Sequence, residues 1–368
     1  MSTNELVHLI KQELSQYPDN LMSFSTYMSR CLYEPVYGYY QIDKPKVGRQ
    51  GDFYTSVQVG TIMAEMLMKH MRKRCAERGW EWSDVMLVEW GAGTGRLASQ
   101  LLSICRDEQS FPACYVMIES SPYHRETARE LLISMSLYPH EQVMWWSEQE
   151  LLEQGRDQPI MVIANELLDA FPVERFRLTK GQLEYALVGW DDHKQQLIEC
   201  WREALPEHQA WVDTHHIPIR EGQIYDAHMA GAAWVKEIWS RLNEAEGIFI
   251  DYGDDREELC AAHRMNGSLM CYYRHQAHDN PYINVGLQDI TSFVDFDVYA
   301  AAFEHAGCVV KSVKSQQQFL LDNGLLEELR QPIDLDPFSE TAKRNRSIRQ
   351  LLLSDQMSER FKVMQLYK

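Results

Sequence analysis

The fold of this chain is decided by one stretch, Val85-Met86-Leu87-Val88-Glu89-Trp90-Gly91-Ala92-Gly93-Thr94-Gly95-Arg96-Leu97. Its first residues are mostly apolar, as in a short strand that is buried on both faces. Three glycines then alternate with other residues, and leucines follow at helical spacing. The pattern predicts a strand, a tight turn and the start of a helix, because glycine tolerates the backbone angles of such a turn. A turn without Cβ atoms also lets a ligand approach the backbone closely.

Glu89, Gly95 and Arg96 separate two classes of ligand for this turn. The dinucleotide fingerprint G-x-G-x-x-G sets a pyrophosphate on the helix N-terminus. Here Gly95 comes one residue early, and Arg96 stands where the fingerprint has its third glycine. The carboxylate of Glu89 would repel a pyrophosphate, but it suits a ligand with a cationic amino or sulfonium group. A nicotinamide dinucleotide is therefore disfavoured as the ligand. The alternative to a turn that binds a cationic ligand is a glycine-rich turn of some other α/β protein.

Composition limits the partners of the chain. Its 368 residues, 45% of them hydrophobic, suffice for one large core with an accessory lobe or for two domains. The formal net charge is -18 and the pI is about 5.2. A nucleic-acid-binding protein usually shows a basic footprint, so we predict no nucleic acid partner. Basic substrates fit the charge better, although plain solubility explains most acidic compositions.

The cysteines and the N-terminus suggest a compartment. The 8 cysteines form no C-x-x-C pair, which argues against a zinc cluster or a redox pair and indicates reduced thiols. The first residues lack a secretory apolar region, and no apolar run is long enough to span a membrane. His275, His278 and Asp279 share one loop, a weak signal of a metal site. We expect a cytoplasmic protein without metal or membrane contact.

Further strands continue the alternating α/β pattern. The second predicted strand ends at Ile118 and is closed by Glu119. A nucleoside-binding fold places a carboxylate there to accept hydrogen bonds from the ribose hydroxyls. The alternative is an acid at the N-terminus of the next helix, which Ser120, Ser121 and Pro122 open. Both interpretations can hold together.

The fourth predicted strand, 160–164, runs into Asn165 and Glu166. Open α/β sheets bind ligands at the carboxyl ends of their strands, so these residues are candidates for the reacting end of the site. Glu166 and Asp169 are three residues apart, and a helical turn would place both carboxylates on one face. The alternative is a helix start whose acids favour the helix dipole.

The regular alternation stops after residue 172. Alternating segments at 173–178 and 183–188 flank Thr179-Lys180-Gly181-Gln182, which predicts a hairpin. A third alternating segment follows, so we expect an antiparallel inserted lobe that serves as a cover or binds substrate. The predicted organisation has four parts. Residues 1–80 form an N-terminal helical segment with a cofactor-covering loop, and residues 81–172 form the first part of the cofactor-binding domain. Residues 173–245 form the inserted lobe, and residues 246–368 form the remainder of the domain.

Six motifs together carry a family resemblance. The pattern E-x-G-x-G-x-G resembles motif I of the class I S-adenosylmethionine (SAM) methyltransferases, in which the loop lies under the methionine part of SAM. From about Tyr27 to the C-terminus the chain resembles the MidA-like family of these enzymes. The motifs are Y-M-S-R-C-L-Y-E-P-V-Y-G-Y-Y at 27–40, G-D-F-Y-T-S at 51–56, V-E-W-G-A-G-T-G at 88–95, N-E-L-L-D-A-F-P-V at 165–173, D-Y-G at 251–253 and G-L-Q-D-I-T-S-F-V-D-F at 286–296.

The resemblance implies a fold and a cofactor. The fold is α/β: a Rossmann-like, mostly parallel seven-stranded sheet with helices on both faces, an N-terminal helical segment and an antiparallel inserted lobe. SAM is the methyl donor, and S-adenosyl-L-homocysteine is the product. Other members often carry proline and arginine where this chain has Ala92 and Thr94. The implied cofactor-binding residues are Gly51, Phe53, Thr55, Ser56, Glu89, Gly91, Ala92, Gly93, Gly95, Glu119, Ser120 and Asn165.

The resemblance also suggests a reaction. Mitochondrial members are complex I assembly factors that methylate a protein arginine, and carboxylates would hold such a guanidinium. The candidate catalytic residues are Glu166, Asp169 and Asp52. Two alternatives remain: a methyltransferase for a small molecule or another protein atom, and a non-catalytic assembly protein that binds SAM. We therefore expect a protein substrate, and we leave a small molecule and a homodimer open.

Overall fold

The computed structural model of the chain describes residues 2–42, 60–155, 158–331, 336, 338–353 and 360–368. Two compact units arise from segments that interleave along the chain. We call Tyr54–Leu167, Glu237–Tyr252 and Phe303–Lys368 the sheet unit, and Met1–Phe53, Leu168–Lys236 and Gly253–Ala302 the lobe unit. The four-part division made from the sequence stays a prediction.

Helices and strands alternate along most of the described chain. The helices are α1 (Ser2–Leu14), α2 (Phe24–Tyr33), α3 (Ile62–Arg78), α4 (Arg96–Asp107), α5 (Pro122–Ser134), α6 (Glu148–Gln154), α7 (Pro206–Thr214), α8 (Met229–Trp239), α9 (Arg256–Leu259), α10 (Phe296–His305), α11 (Gln316–Asp322) and α12 (Glu340–Leu353). The strands are β1 (Met22–Ser23), β2 (Met86–Trp90), β3 (Cys114–Ile118), β4 (Val143–Trp145), β5 (Ile160–Asn165), β6 (Glu174–Thr179), β7 (Gln182–Asp191), β8 (Gln196–Glu203), β9 (Ile224–Ala227), β10 (Ala245–Asp254), β11 (Met270–Tyr273), β12 (Gln276–His278), β13 (Asp289–Thr291), β14 (Val294–Asp295), β15 (Val309–Ser315) and β16 (Phe361–Tyr367).

The sheet unit contains a seven-strand path in the order β15-β16-β10-β5-β2-β3-β4. Strands β10, β5, β2, β3 and β4 run parallel, and β16 is antiparallel to both of its neighbours. The predicted Rossmann-like, mostly parallel seven-stranded sheet is confirmed. Strand β15, Val309–Ser315, forms one edge of this sheet. Ser315 then caps α11 by accepting a hydrogen bond from the Gln318 N–H.

Apolar side chains cover both faces of this sheet. On one face, Ile248 and Ile250 of β10 join a core built from α3, α4, α11 and α12. The methionine-rich face of α3 lies in that core. On the other face, the ring of Phe249 packs against Trp239 and Phe303, with centroids 5.7 and 4.9 Å away. Burial on both faces explains why β2 and β5 are almost entirely apolar, with Glu89 and Asn165 as the exceptions.

The lobe unit is built mainly from antiparallel strands. Its larger sheet has the order β1-β7-β6-β9, with β8 also paired to β7. Strands β6 and β7 form the predicted hairpin, with Thr179 opposite Gln182. A second sheet has the order β12-β11-β13, and β14 pairs with the last residues of β10, Gly253 and Asp254.

Ser23 begins α2 as its sequence position predicts, because its hydroxyl accepts a hydrogen bond from the Thr26 N–H at 3.1 Å. None of the helices in the described part of the chain has the length and apolar character needed to cross a membrane.

Candidate functional site

The glycine turn joins β2 to α4 at the carboxyl edge of the parallel sheet. Gly91, Gly93 and Gly95 have φ values of 71, 53 and 72°, in the left-handed region that favours glycine. The N–H groups of Gly91 and Ala92 both donate to the carbonyl of Ile118, at 2.9 and 3.2 Å. Strand β3 therefore fixes the course of the turn.

The three glycines serve different purposes. A Cβ at Gly95 would lie 2.7 Å from the Cβ of Ala128 on α5, so this glycine is required by helix packing. A Cβ at Gly91 would lie 3.0 Å from Leu167 Cδ1, which brings the turn against the end of β5. At Gly93 the nearest atom, the Gly91 carbonyl oxygen, is 3.9 Å away. Gly93 is thus the position of the turn with free space beside it.

Glu119 closes β3 and holds the glycine turn. Its Oε2 accepts a hydrogen bond from the Gly93 N–H at 2.8 Å, and its Oε1 accepts one from the Ser121 N–H at 2.8 Å. Ser121 in turn caps α5 by accepting from the His124 N–H, and Ser120 between them is exposed. The geometry confirms an acid at the start of the helix. It adds a contact with the turn that the sequence did not predict.

Glu89 is a buried carboxylate beside the turn. Only 4% of the residue is exposed, and the Tyr115 hydroxyl donates a hydrogen bond to its Oε2 at 2.6 Å. Among the residues that the structure describes, no cation lies within ion-pair distance of this carboxylate. Burial raises the pKa of Glu89 to about 8; the Tyr115 hydrogen bond opposes this shift and the negative charge of Glu119 adds to it.

This environment tests whether a SAM-like ligand fits. A buried carboxylate is costly unless a cation or several hydrogen bonds compensate its charge. Tyr115 gives Glu89 one hydrogen bond, and no cation among the described residues compensates the charge of its carboxylate. The ammonium of an amino acid would supply that positive charge. The residues present therefore fit the methionine end of SAM.

Asn165 and Glu166 end β5 at the same edge. Glu166 has φ of 55°, a left-handed conformation that is uncommon outside glycine. Its N–H donates to the Ile250 carbonyl at 2.8 Å, and the following N–H, of Leu167, donates to Asp251 Oδ2 at 3.0 Å. The Asn165 amide donates to Glu166 Oε1 at 3.1 Å. These contacts fix the backbone and the carboxylate of Glu166 together.

The expected helical turn over Glu166 and Asp169 is wrong. Residues 166–170 form a bend and a turn, because β5 continues through Asn165 and Asp251 then anchors the chain. The two acids are therefore not presented on one helical face.

Asp169 is buried in the lobe unit. Its carbonyl accepts the Ser292 N–H at 3.2 Å. The neighbouring carbonyls of Leu168 and Ala170 accept the hydroxyls of Tyr299 and Tyr33, at 3.4 and 2.8 Å. Three donors from distant parts of this unit thus hold the backbone around Asp169. Gly51, Asp52, Phe53, Thr55 and Ser56 lie outside the described residues.

Sequence reasoning missed Tyr115 and Asp251 as site residues. Tyr115 lies opposite Leu87 and Met117 lies opposite Glu89 in the parallel pair of β2 and β3. Strand alternation places Tyr115 and Met117 on one face, but the register that brings the phenol to Glu89 is not visible in either strand alone. Asp251 belongs to the D-Y-G motif, where an acid at the end of an apolar run was the available signal.

No group of three or more histidine, cysteine, aspartate or glutamate residues is placed to hold a metal ion within the ranges that the structure describes.

Known proteins resemble the chain in sequence and in structure. A family model of S-adenosyl-L-methionine-dependent methyltransferases matches residues 59–314. The Danio rerio protein named "Protein arginine methyltransferase NDUFAF7, mitochondrial" is 24% identical over 97% of this chain and 85% of its own length. The Drosophila melanogaster homolog of that name is 25% identical over 77% of this chain and 67% of its own length.

A solved structure extends the similarity to the whole chain. A Burkholderia thailandensis protein, crystallised with S-adenosyl-homocysteine bound, is 28% identical and superposes with a TM-score of 0.86. The match covers 100% of this chain and 92% of the other. The resemblance that the six motifs indicated is confirmed.

One prediction is corrected by these comparisons. The expectation of a cytoplasmic protein is contradicted, because the curated relatives are named as mitochondrial proteins. The cofactor expectation is confirmed by the family and by the ligand of the Burkholderia structure. Since the family model spans well over half of the sequence, the chain belongs to the S-adenosyl-L-methionine-dependent methyltransferases, and SAM is its cofactor.

Proposed function

We propose that this methyltransferase transfers the methyl group of SAM to the guanidinium of an arginine side chain in a protein. The curated relatives, at 24–25% identity, are named protein arginine methyltransferases. SAM supplies an activated methyl group, so the protein has to align a nucleophile and keep water away. The family already establishes SAM as the methyl donor, so the new part of this proposal is the identity of the methyl acceptor.

Glu166 is the observation that carries the proposal. It occupies a left-handed backbone conformation at the carboxyl edge of the sheet, and backbone strain of this kind clusters at functional sites. Hydrogen bonds from its own N–H and from the Leu167 N–H stabilise that conformation, and Asn165 orients its carboxylate. A fixed carboxylate can bind a guanidinium through two parallel hydrogen bonds and direct a nitrogen toward the methyl group.

The remaining candidate residues have proposed roles in binding SAM or the acceptor. Glu89 would bind the ammonium of SAM, the turn at Gly91, Ala92, Gly93 and Gly95 would lie under its methionine part, and Glu119 would accept the ribose hydroxyls. Asp169 and Asp52 are proposed as further carboxylates for the acceptor. The remaining proposed cofactor contacts are Gly51, Phe53, Thr55, Ser56, Ser120 and Asn165.

The test uses tritium-labelled SAM, the purified protein and a lysate as the source of acceptor. Amino-acid analysis of the hydrolysed protein fraction should show label in methylarginine. Glu166→Gln should reduce that label by about 100-fold and leave the Kd for SAM unchanged, since the lost interaction acts on the acceptor. Glu153→Gln, an exposed acid on α6, is the matched control.

Three other outcomes of this experiment would contradict the proposal. Label in methyllysine or in the small-molecule fraction alone would replace arginine by that acceptor. Full activity of Glu166→Gln would remove Glu166 from the reaction. Failure to bind SAM would contradict the cofactor itself.

A further inference from the structure

Glu89 and Tyr115 form an isolated buried pair in the sheet unit. Tyr115 is 0% exposed and Glu89 is 4% exposed. The phenol oxygen lies 2.6 Å from Glu89 Oε2, a short hydrogen bond. Because the two residues come from neighbouring parallel strands, the rigid register of β2 and β3 holds them at this distance.

The charged and titratable groups around this pair are few. Glu119, after β3, places a second negative charge near Glu89. Cys105 of α4 lies near the Tyr115 phenol. In the described part of the chain, no lysine, arginine or histidine faces the Glu89 carboxylate within ion-pair distance. Burial, a neighbouring acid and the lack of a cation all favour the protonated carboxyl.

We propose that Tyr115 is a positioning residue for the cofactor, which fixes the Glu89 carboxylate so that the α-ammonium of SAM pairs with it and expels its proton to solvent. The inference rests on the proposed role of Glu89 in binding SAM. Binding breaks the O–H bond of the neutral Glu89 carboxyl, and one proton leaves to the buffer. The ammonium keeps its three protons and becomes the cationic partner of the carboxylate, while the Tyr115 hydroxyl continues to donate to it.

The consequence is a SAM affinity that depends on pH. The pKa of Glu89 is raised to about 8 by burial, so the carboxyl is mostly neutral at pH 7. The Kd for SAM should therefore fall by about tenfold between pH 6 and pH 7 and level off near pH 8. The α-amino group of the ligand has a pKa of about 8 and begins to lose its proton above about pH 7, so the steep fall in Kd is confined to pH 6 to 7.

Calorimetric titration of the purified full chain tests this linkage. Each titration is run at pH 6, 7 and 8, in two buffers that differ in ionisation enthalpy. At pH 7 we expect release of about one proton per SAM bound. The compound 5′-methylthioadenosine keeps the nucleoside and lacks the amino-acid part, so its Kd should not vary with pH and its binding should release no proton.

Three variants separate positioning from a general effect on folding. Tyr115→Phe removes the hydrogen bond that stabilises ionised Glu89, so the Kd for SAM should rise by about tenfold at pH 7 and by less at pH 8. Glu89→Gln should bind SAM weakly and without pH dependence. Tyr138→Phe removes another phenol hydroxyl of the sheet unit and should match the unaltered protein. All three should bind 5′-methylthioadenosine normally, which shows that they are folded.

The results distinguish the failure of this inference from the failure of the proposed function. SAM binding without proton release and without pH dependence would overturn the linkage and leave the cofactor in place. Equal losses of SAM and 5′-methylthioadenosine in Tyr115→Phe would reduce Tyr115 to a structural residue. A folded protein that binds neither compound at any pH would contradict the cofactor site itself.

Discussion

Two buried glutamates of one sheet differ in what neutralises them. Glu246, near the start of β10 at the amino edge, is 5% exposed. The guanidinium of Arg74 donates to both of its oxygens, at 2.9 and 2.7 Å, and Arg78 lies 3.6 Å away. Glu89, near the end of β2 at the carboxyl edge, is equally buried and has one phenol as its partner.

The contrast distinguishes a structural edge from a binding edge. At the amino edge the chain supplies both charges, so the pair is complete when the protein folds. At the carboxyl edge it supplies the carboxyl group alone, and in the complex that we propose the ammonium of SAM completes the pair. A buried acid without a cation is therefore an indication of a ligand's charge, whereas a buried acid with two arginines is not.

The largest effect is expected from Glu246→Gln. It leaves the buried Arg74 with the partly exposed Glu77 as its remaining charged partner, and breaking such a buried pair costs about 3–5 kcal/mol. The urea midpoint followed by far-ultraviolet circular dichroism should fall accordingly, while the Kd for SAM stays unchanged in the folded protein. Glu77→Gln removes the other partner of Arg74, a side chain that is 41% exposed, and should cost less than about 1 kcal/mol. Equal losses of unfolding free energy in Glu246→Gln and Glu77→Gln would show that the buried pair at the amino edge has no special structural role.

Glu89→Gln should act in the opposite direction on stability and strongly on binding. The neutral amide relieves a buried charge, so the free protein should be at least as stable as the unaltered protein at pH 8. SAM affinity should fall by about 30- to 100-fold, corresponding to the loss of a buried charge pair. Urea titration and calorimetry on the same preparation measure both effects. Destabilisation as large as that of Glu246→Gln would show that Glu89 is a structural acid.

Glycines near the two edges provide a smaller test. Gly79 ends α3 with φ of 71°, and a Cβ there would meet no atom within 4 Å. Gly95 has φ of 72°, but its Cβ would lie 2.7 Å from Ala128 Cβ. Gly79→Ala should cost about 1 kcal/mol from backbone strain, and Gly95→Ala about 2–3 kcal/mol because a clash is added. Thermal unfolding of both variants checks the difference, and equal losses would exclude the helix contact as the reason for Gly95.

The last expected effect is a dependence of stability on pH, with a small change in each pH unit. The pKa of Glu89 is about 8 in the folded protein, above its ordinary value of 4.5. The neutral carboxyl therefore contributes full stability below about pH 4.5, and this contribution is lost as the pH rises to about 8. Relative to Glu89→Gln, the free protein should lose roughly 1 kcal/mol per pH unit between pH 5 and 8. If the unfolding free energies of the unaltered protein and of Glu89→Gln changed with pH in parallel, the raised pKa of Glu89 would be contradicted.

Much of the sheet unit follows from short-range pattern. The run from Val85 to Leu97 predicts β2, the turn and α4, because burial on both faces and glycine conformation act over neighbouring residues. The position of Glu89 before the glycines favoured a ligand with a cationic group, and SAM, the cofactor of the family, carries such groups. The same local logic predicted the hairpin of β6 and β7 from the turn residues Lys180 and Gly181.

Other features depend on residues far apart in the sequence. Glu166 was expected in a helical turn, but its conformation is set by Ile250 and Asp251, more than eighty residues later. Tyr115 reaches Glu89 through the register of two strands, which neither strand specifies alone. Local propensity carries no information about either contact.

The position of β16 has a consequence for synthesis of the chain. This strand, Phe361–Tyr367, lies between β10 and β15, although both precede it in the sequence. A ribosome working from the N-terminus therefore releases β10 with one edge paired to β5 and the other edge open until β16 emerges. Open strand edges invite pairing with other chains. Until β16 has been translated, this edge of β10 is open to such pairing.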